Sequence, residues 1–272
     1  APSSPFYLCW QAGILRWLEN WQPEVLIVEA NPRYLSTPSA IRWMHARNRP
    51  VLGWGLGAPP LGGPLAGLRA WERMNFLRKL DGVIAYSRRG AQEYRALGIP
   101  DERIFWAPNA VAARPSEPPP FRPAAFSAPP VVLFVGRLQA RKRIDLLLGA
   151  CADLPAEMQP RLVIVGEGPD RAEMEAQAKR VYPSAEFPGA QYGTELAAYF
   201  KQADLFVLPG TGGLAVQQAL GYGLPVIVAQ GDGTQDDLVR PANGWLIPSD
   251  DPQALGQALR EALSDVTRFR EM

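Results

Sequence analysis

"VVLFVGRLQARKRIDLLLGAC", residues 131–151, decides the fold. A β-branched and aromatic run ends at a glycine, the pattern of a strand buried on both faces. A basic turn follows, and from Ile144 the apolar residues recur at helical spacing. Strand, turn and helix in that order build a parallel sheet, and the unit recurs along the chain. Strands are expected at 131–136, 161–166, 205–210 and 224–229. Helices are expected near 142–151, 170–180, 194–202 and 213–222, with a last one from about Asp251. Upstream, EVLIVEA (24–30), PVLGWGLG (50–57) and GVIAYS (82–87) suit strands, and IFWAPNAV (104–111) closes this half. Helices are expected at Ala12–Asn20, Pro38–Arg47, Gly67–Leu80 and Arg88–Leu97. The fold class is therefore α/β: two doubly wound domains with parallel sheets and right-handed crossovers.

The boundary is PSEPPPFRPAAFSAPP, residues 115–130, where seven of sixteen residues are proline, a composition that favours an extended linker. The expected division is a first domain at 1–114, a linker at 115–130 and a second domain at 131–272, with a hinge near 109–130. Ligands in such sheets bind beyond the carboxyl ends of the strands. Attention falls on the loops after 136, 166, 189 and 210 and on the cleft between the domains.

Composition narrows the function classes. The 28 basic and 27 acidic residues nearly cancel, which gives no footprint for nucleic acid. Hydrophobic residues make up 47% of the chain, enough for a sizeable core. Cys9 and Cys151 stand alone, so neither a zinc site nor a disulfide framework is expected. No apolar run approaches the roughly 18 residues of a membrane span. The chain starts Ala-Pro-Ser-Ser and stops within a helical pattern, so both ends are expected to be cut. The expected location is cytoplasmic. The basic, amphipathic stretch LRAWERMNFLRKL (68–80) is read first as a helix that covers its domain, and second as a peripheral contact with the inner membrane surface.

Several groups can carry chemistry. Arg137 and Lys142 follow Gly136, one on the loop and one at the expected start of the next helix; two fixed cations there suit a diphosphate. The bland alternative is a solvated charge run beside Arg141 and Arg143. Gly166, Gly168 and Pro169 form a turn-and-cap signature, more often structural than ligand-touching. In GTGGLAV (210–216), Gly212 and Gly213 let a backbone approach a phosphate ahead of a helix starting near Leu214. Gln218, one turn on, suits a ribose or sugar hydroxyl. His45, the only histidine, has no nucleophile elbow to serve and is read as a surface or interdomain residue. Trp10, Trp17, Trp21 and Trp43 are expected in the core.

Taken together, these loops resemble the donor domain of family-4 glycosyltransferases, retaining sugar-nucleotide enzymes of the GT-B fold with two Rossmann-like domains. GRLQARKRIDLLL resembles the family's G-R-L-x-x-x-K segment. LVIVGEGPDRAEMEAQA, EFPGAQYGTELAAYFKQADLFVLPG, ALGYGLPVIVAQGDGTQDDLV and NGWLIPSDDPQALGQAL follow the family pattern in order. In the first half, AYSRRGAQEYRALGIPDERIFWAPNAV resembles the strand–helix–strand that leads to the hinge.

The resemblance implies transfer of a sugar from a nucleotide-sugar donor to a glycan, lipid or small-molecule acceptor. Arg137 and Lys142 would act on the donor diphosphate. Gly136, Gly189, Ala190, Gln191, Gly210, Gly212, Gly213, Leu214 and Gln218 would line the donor, with base recognition around 189–191. Trp54, Gly55, Leu56 and Gly57 would face the acceptor, the 53–60 loop closing over the donor sugar. No metal or cofactor is expected, because the two cations replace it and no D-x-D-like pair stands in the donor loops.

The resemblance also implies an incomplete N-terminal domain, lacking the family's first strand with its glycine-rich loop, and a missing final helix. The chain departs from the pattern at three places. The family's two glutamates, eight positions apart, fall on Gly210 and Gln218, and its acceptor-side histidine falls near Leu56. An active enzyme is therefore set against a catalytically degenerate sugar-nucleotide-binding module. A sugar-nucleotide epimerase is a third reading, disfavoured by the lack of evident cleft carboxylates.

Overall fold

The computed structural model describes residues 8–108, 110, 118–121, 126 and 129–264. Most of the expected 115–130 linker lies outside the described residues. The chain forms two compact units, Ala1–Pro108 and Asn109–Met272.

The first unit runs α1 (Ile14–Trp21), β1 (Leu26–Glu29), α2 (Thr37–His45), β2 (Val51–Gly55), α3 (Ala66–Leu77), β3 (Gly82–Ala85), α4 (Arg88–Ala96) and β4 (Ile104–Trp106). Its described strands form a parallel sheet in the order β1-β2-β3-β4. A sheet wound in one direction by right-handed crossovers carries its connecting helices on one face. The register shows the consequence. Leu26, Val51, Gly53, Val83 and Ala85 share one face and are buried, whereas Ile27, Trp54 and Phe105 share the other and are exposed. Ser87 caps α4 by accepting the Gly90 N–H at 3.0 Å.

The second unit continues with β5 (Val131–Val135), α5 (Ile144–Ala152), β6 (Arg161–Val165), α6 (Arg171–Val181), β7 (Glu186–Gly189), α7 (Gly193–Gln202), β8 (Leu205–Leu208), α8 (Ala215–Gly221), β9 (Val226–Ala229), α9 (Thr234–Leu238), β10 (Gly244–Ile247) and α10 (Pro252–Ser264). All pairings are parallel, in the order β10-β9-β8-β5-β6-β7. The order reverses between β5 and β8, so helices cover both faces, and every residue of β8 and β9 is buried. Phe200 stacks on both Phe206 and Tyr222 beneath the sheet. Asp251 caps α10, accepting the Gln253 and Ala254 N–H groups at 3.0 and 2.9 Å, with Pro252 in the first turn.

Several expectations are corrected. Lys142 does not open a helix; it closes a 3-10 turn, Ala140–Lys142, and Arg143 (φ 51°) then breaks the chain before α5. Arg143 is held there by Asp145 and Asp250. The helix expected at 213–222 spans only Ala215–Gly221, because Gly212 and Gly213 take positive φ. Within IFWAPNAV (104–111) the strand covers only Ile104–Trp106. β10 and α9 had no counterpart in the sequence reading, and β7 only the strand end implied at 189.

The tryptophans are not core residues. Trp10, Trp17 and Trp21 are exposed, and Trp43 is only half-buried. Leu18 is the residue α1 buries; Trp17 and Trp21, one turn apart, stack on each other outside, ring centroids 5.6 Å apart.

Candidate active site

The reversal between β5 and β8 opens a crevice at their carboxyl ends, the usual ligand position in such sheets. The loops leaving these two strands meet there. Arg141 O accepts the Thr211 N–H at 3.1 Å, and Lys142 Nζ donates to the carbonyls of Thr211 and Gly212, both at 2.9 Å. Lys142 is buried. Burial, reinforced by the Arg141 charge and opposed by Asp232, pulls its ammonium down to about 8. An ammonium has three donors, so one remains for a ligand.

Gly210 lies against this contact. A Cβ there would stand 2.2 Å from Arg141 O and 2.6 Å from Lys142 Cα, inside any van der Waals distance. Position 210 therefore accepts no side chain, acidic or otherwise, while the two loops stay together. The N–H groups of Gly213 and Leu214 donate to nothing among the described residues. Leu214 is exposed; Gln218 is half-buried, and its amide has no hydrogen bond among the described residues.

Beside the switch point lies a cavity of about 710 Å³ between the loops after β5, β6 and β7. Gly136, Arg137, Ala190 and Gln191 line it, with Glu167 and Tyr192. A Cβ on Gly136 would stand 4.0 Å from Lys142 Cε, so cavity and switch point adjoin. Arg137 is exposed, with no ion pair or hydrogen bond among the described residues. Glu167 pairs with Arg171, which also pairs with Glu175 and donates to Phe187 O. Gln191 Nε2 donates to Pro188 O at 3.0 Å, holding the 188–191 turn. Gly189, buried behind this turn, does not line the cavity.

Sequence reasoning missed the loop after β9. Asp232 faces Lys142 electrostatically and accepts the Thr234 N–H at 3.1 Å. Gln235 is 1% exposed, and neither carboxamide atom has a hydrogen-bond partner among the described residues. The turn-rich GDGT was the available signal.

In the first unit the 54–57 segment leaves the carboxyl end of β2. Trp54 and Leu56 are exposed, Trp54 edge-on to Tyr86 at 5.1 Å. Gly57 (φ 119°) packs on α4, where a Cβ would stand 2.6 Å from Gly90 Cα; Gly55 covers the Tyr94 hydroxyl. These glycines make room for packing, and burial pushes the Tyr94 hydroxyl up to about 12. Glu29, at the end of β1, is an exposed carboxylate at the same sheet end, absent from the sequence reading. His45 lies at the other end, its Nε2 2.9 Å from Asp81 Oδ2.

Among the described residues neither Cys9 nor Cys151 forms a disulfide, and burial pushes the Cys151 thiol up to about 12. Among the described residues, no three His, Cys, Asp or Glu side chains gather as a metal set, and no helix is long and apolar enough to cross a membrane.

Two Rossmann-like α/β units, the second with a cationic switch point, define a protein of the GT-B class. Solved structures share that fold. The lipopolysaccharide outer core galactosyltransferase WaaB aligns at TM-score 0.71 and 20% identity, covering 95% of this chain and 76% of that one. Anabaena Alr3699/HepE in complex with UDP aligns at TM-score 0.72 and 17% identity, covering 96% and 75%. Residues 118–272 match the family described as glycosyl transferases group 1, and the chain belongs to that family. It is 33% identical over 266 residues to a GDP-mannose-dependent alpha-mannosyltransferase of Mycobacterium tuberculosis, covering 86% of this chain and 63% of that protein. It is 26% identical over 200 residues to the putative colanic acid biosynthesis glycosyltransferase WcaL of Escherichia coli, covering 69% and 49%. The chain thus spans about half to two thirds of the length of these curated relatives.

Proposed function

We propose that this chain is the donor-binding and partial acceptor-side portion of a family-4 glycosyltransferase acting with retention. The donor is a nucleotide-sugar and the acceptor a glycan, lipid or small molecule. One observation carries the reading: a buried lysine fixed at the switch point beside a cavity lined by an arginine with no partner among the described residues. The relative named for GDP-mannose makes that donor the first to test.

The chemistry follows from charge. The bond between the anomeric carbon and the diphosphate oxygen breaks as an acceptor hydroxyl attacks the same face. The hydroxyl proton passes to the departing diphosphate, and negative charge grows there. Arg137, Lys142 and the Gly213 and Leu214 amides supply donors for that charge, a contribution of a few kcal/mol per well-placed group. No metal or cofactor enters this scheme. Base recognition falls to Ala190, Gln191 and the backbone of the 189–191 turn, and Gln218 serves a hydroxyl. Trp54 and Leu56 face the acceptor, with peripheral contact at the inner membrane surface bringing lipid acceptors within reach. The place of action is cytoplasmic.

The alternative is a degenerate sugar-nucleotide-binding module within a glycan-assembly complex. Gly210 favours it, since the position has no room for an acid. Calorimetric titration with GDP, UDP and ADP tests the shared donor site. One nucleotide should bind saturably, and Arg137→Ala should weaken it at least about tenfold. Absence of binding, or an unchanged affinity in Arg137→Ala, overturns the site. Donor hydrolysis or transfer by the full-length protein then separates enzyme from module.

A further inference from the structure

A second cavity, of about 570 Å³, lies in the first unit at the amino ends of β2 and β3. It is one strand length, about 15 Å, from the loop that carries Leu56. Arg42, Arg78, Lys79 and Arg103 line it with His45, and Asp81 is its single carboxylate. That carboxylate is engaged, accepting the Val51 N–H at 2.7 Å and facing His45 Nε2 at 2.9 Å. Arg103 is engaged too, donating to the Asp81 and Leu80 carbonyls. Arg42 donates to Ser39 Oγ at 3.0 Å. Arg78 and Lys79 have no side-chain hydrogen bond or ion pair among the described residues.

Helix ends explain some of this charge. α2 and α3 both finish at the cavity, and each carboxyl end presents roughly half a negative charge. Those two ends and Asp81 leave a surplus of about two positive charges in a concave site of small-molecule size. Pro38, Ile41 and Leu80 supply an apolar wall. The near-neutral chain argues against a polyanion, which needs an extended basic stripe.

We propose that this cavity binds a phosphate group carried by a small organic moiety, with Arg78 and Lys79 as its principal ligands. The site is separate from the proposed donor site and places a second phosphoester on the first unit. Its source is either a soluble phosphoester or a phospholipid headgroup.

His45 is the only histidine, so its imidazole NMR signals report this cavity and not the donor loops. Inorganic phosphate titrated into the chain should shift them saturably. Arg78→Glu/Lys79→Glu should weaken that response at least about tenfold, while Arg137→Ala leaves it unchanged. Both charge reversals are at exposed positions, and the dispersion of the NMR spectrum checks folding. No saturable shift, or an equal shift in the double variant, overturns the proposal, as does loss in Arg137→Ala. Given a positive shift, sedimentation with phosphatidylglycerol–phosphatidylcholine vesicles assigns the source. Binding lost in the double variant supports the headgroup; no binding supports the soluble phosphoester.

Discussion

The two sheets use the same strand–helix unit and bury themselves differently. In the second unit the strand order reverses at β5 and β8, helices lie on both faces, and β8 and β9 are buried throughout. In the first the described order never reverses, and one face keeps Ile27, Trp54 and Phe105 exposed. The reversal does more than cover a second face. It creates the crevice in which the loops after β5 and β8 touch through Lys142, and no such crevice exists among the described strands of the first sheet. Winding direction therefore decides both where the core is two-sided and where a ligand crevice forms.

The largest test of this contrast is stability. Phe206→Ala removes a fully buried ring from the two-sided sheet and should cost about 3–5 kcal/mol in chemical denaturation. Ile27→Ala, at a residue 54% exposed, should change stability by no more than about 0.5 kcal/mol. Similar losses would mean that the open face of the first sheet is covered in solution.

The next test sets the two glycine contacts against each other. Gly210→Ala forces a methyl into the Arg141–Lys142 backbone and should cost about 1–3 kcal/mol, with nucleotide affinity falling alongside. Gly57→Ala carries a similar cost, about 1–3 kcal/mol, from its positive φ and the nearby Gly90, yet should leave nucleotide affinity alone. Gly210→Ala binding nucleotide normally would break the link between loop packing and the donor site.

The smallest effect is a pH dependence. The Lys142 ammonium is held down at about 8, so it is charged below that pH and neutral above it. A bound diphosphate favours the charged form. Affinity should therefore be steady below about pH 8 and fall as pH rises, by at most about tenfold per pH unit for one proton. Lys142→Met should bind more weakly at neutral pH and lose this slope. A slope that persists in Lys142→Met would assign the proton to another group.

Much of the fold was legible because its signals are local. Apolar runs of five residues and helical spacing marked most elements to within a few residues, and the glycines flagged the loops. The tryptophans misled because spacing fixes a helix face and not what lies opposite it. Leu18 took the buried position, and Trp17 and Trp21 paired with each other outside. Arg137 and Lys142 were found from their place after a strand. Glu29, Asp232 and Gln235 were not singled out: Glu29 only ends an apolar run, and the GDGT turn marks a loop without saying which of its side chains faces Lys142.

The sequence by itself determined the alternation of strand and helix, the proline-rich stretch and the loops that follow the strands, all set by neighbours within a few turns of chain. Tertiary structure alone decided the winding direction of each sheet, the lack of room at Gly210 and the anchoring of Lys142. Those depend on groups far apart in the chain: Lys142 and Thr211 are 69 residues from each other and meet only because β5 and β8 lie side by side. Periodicity records which face of an element is apolar; it does not record which neighbour will press against it.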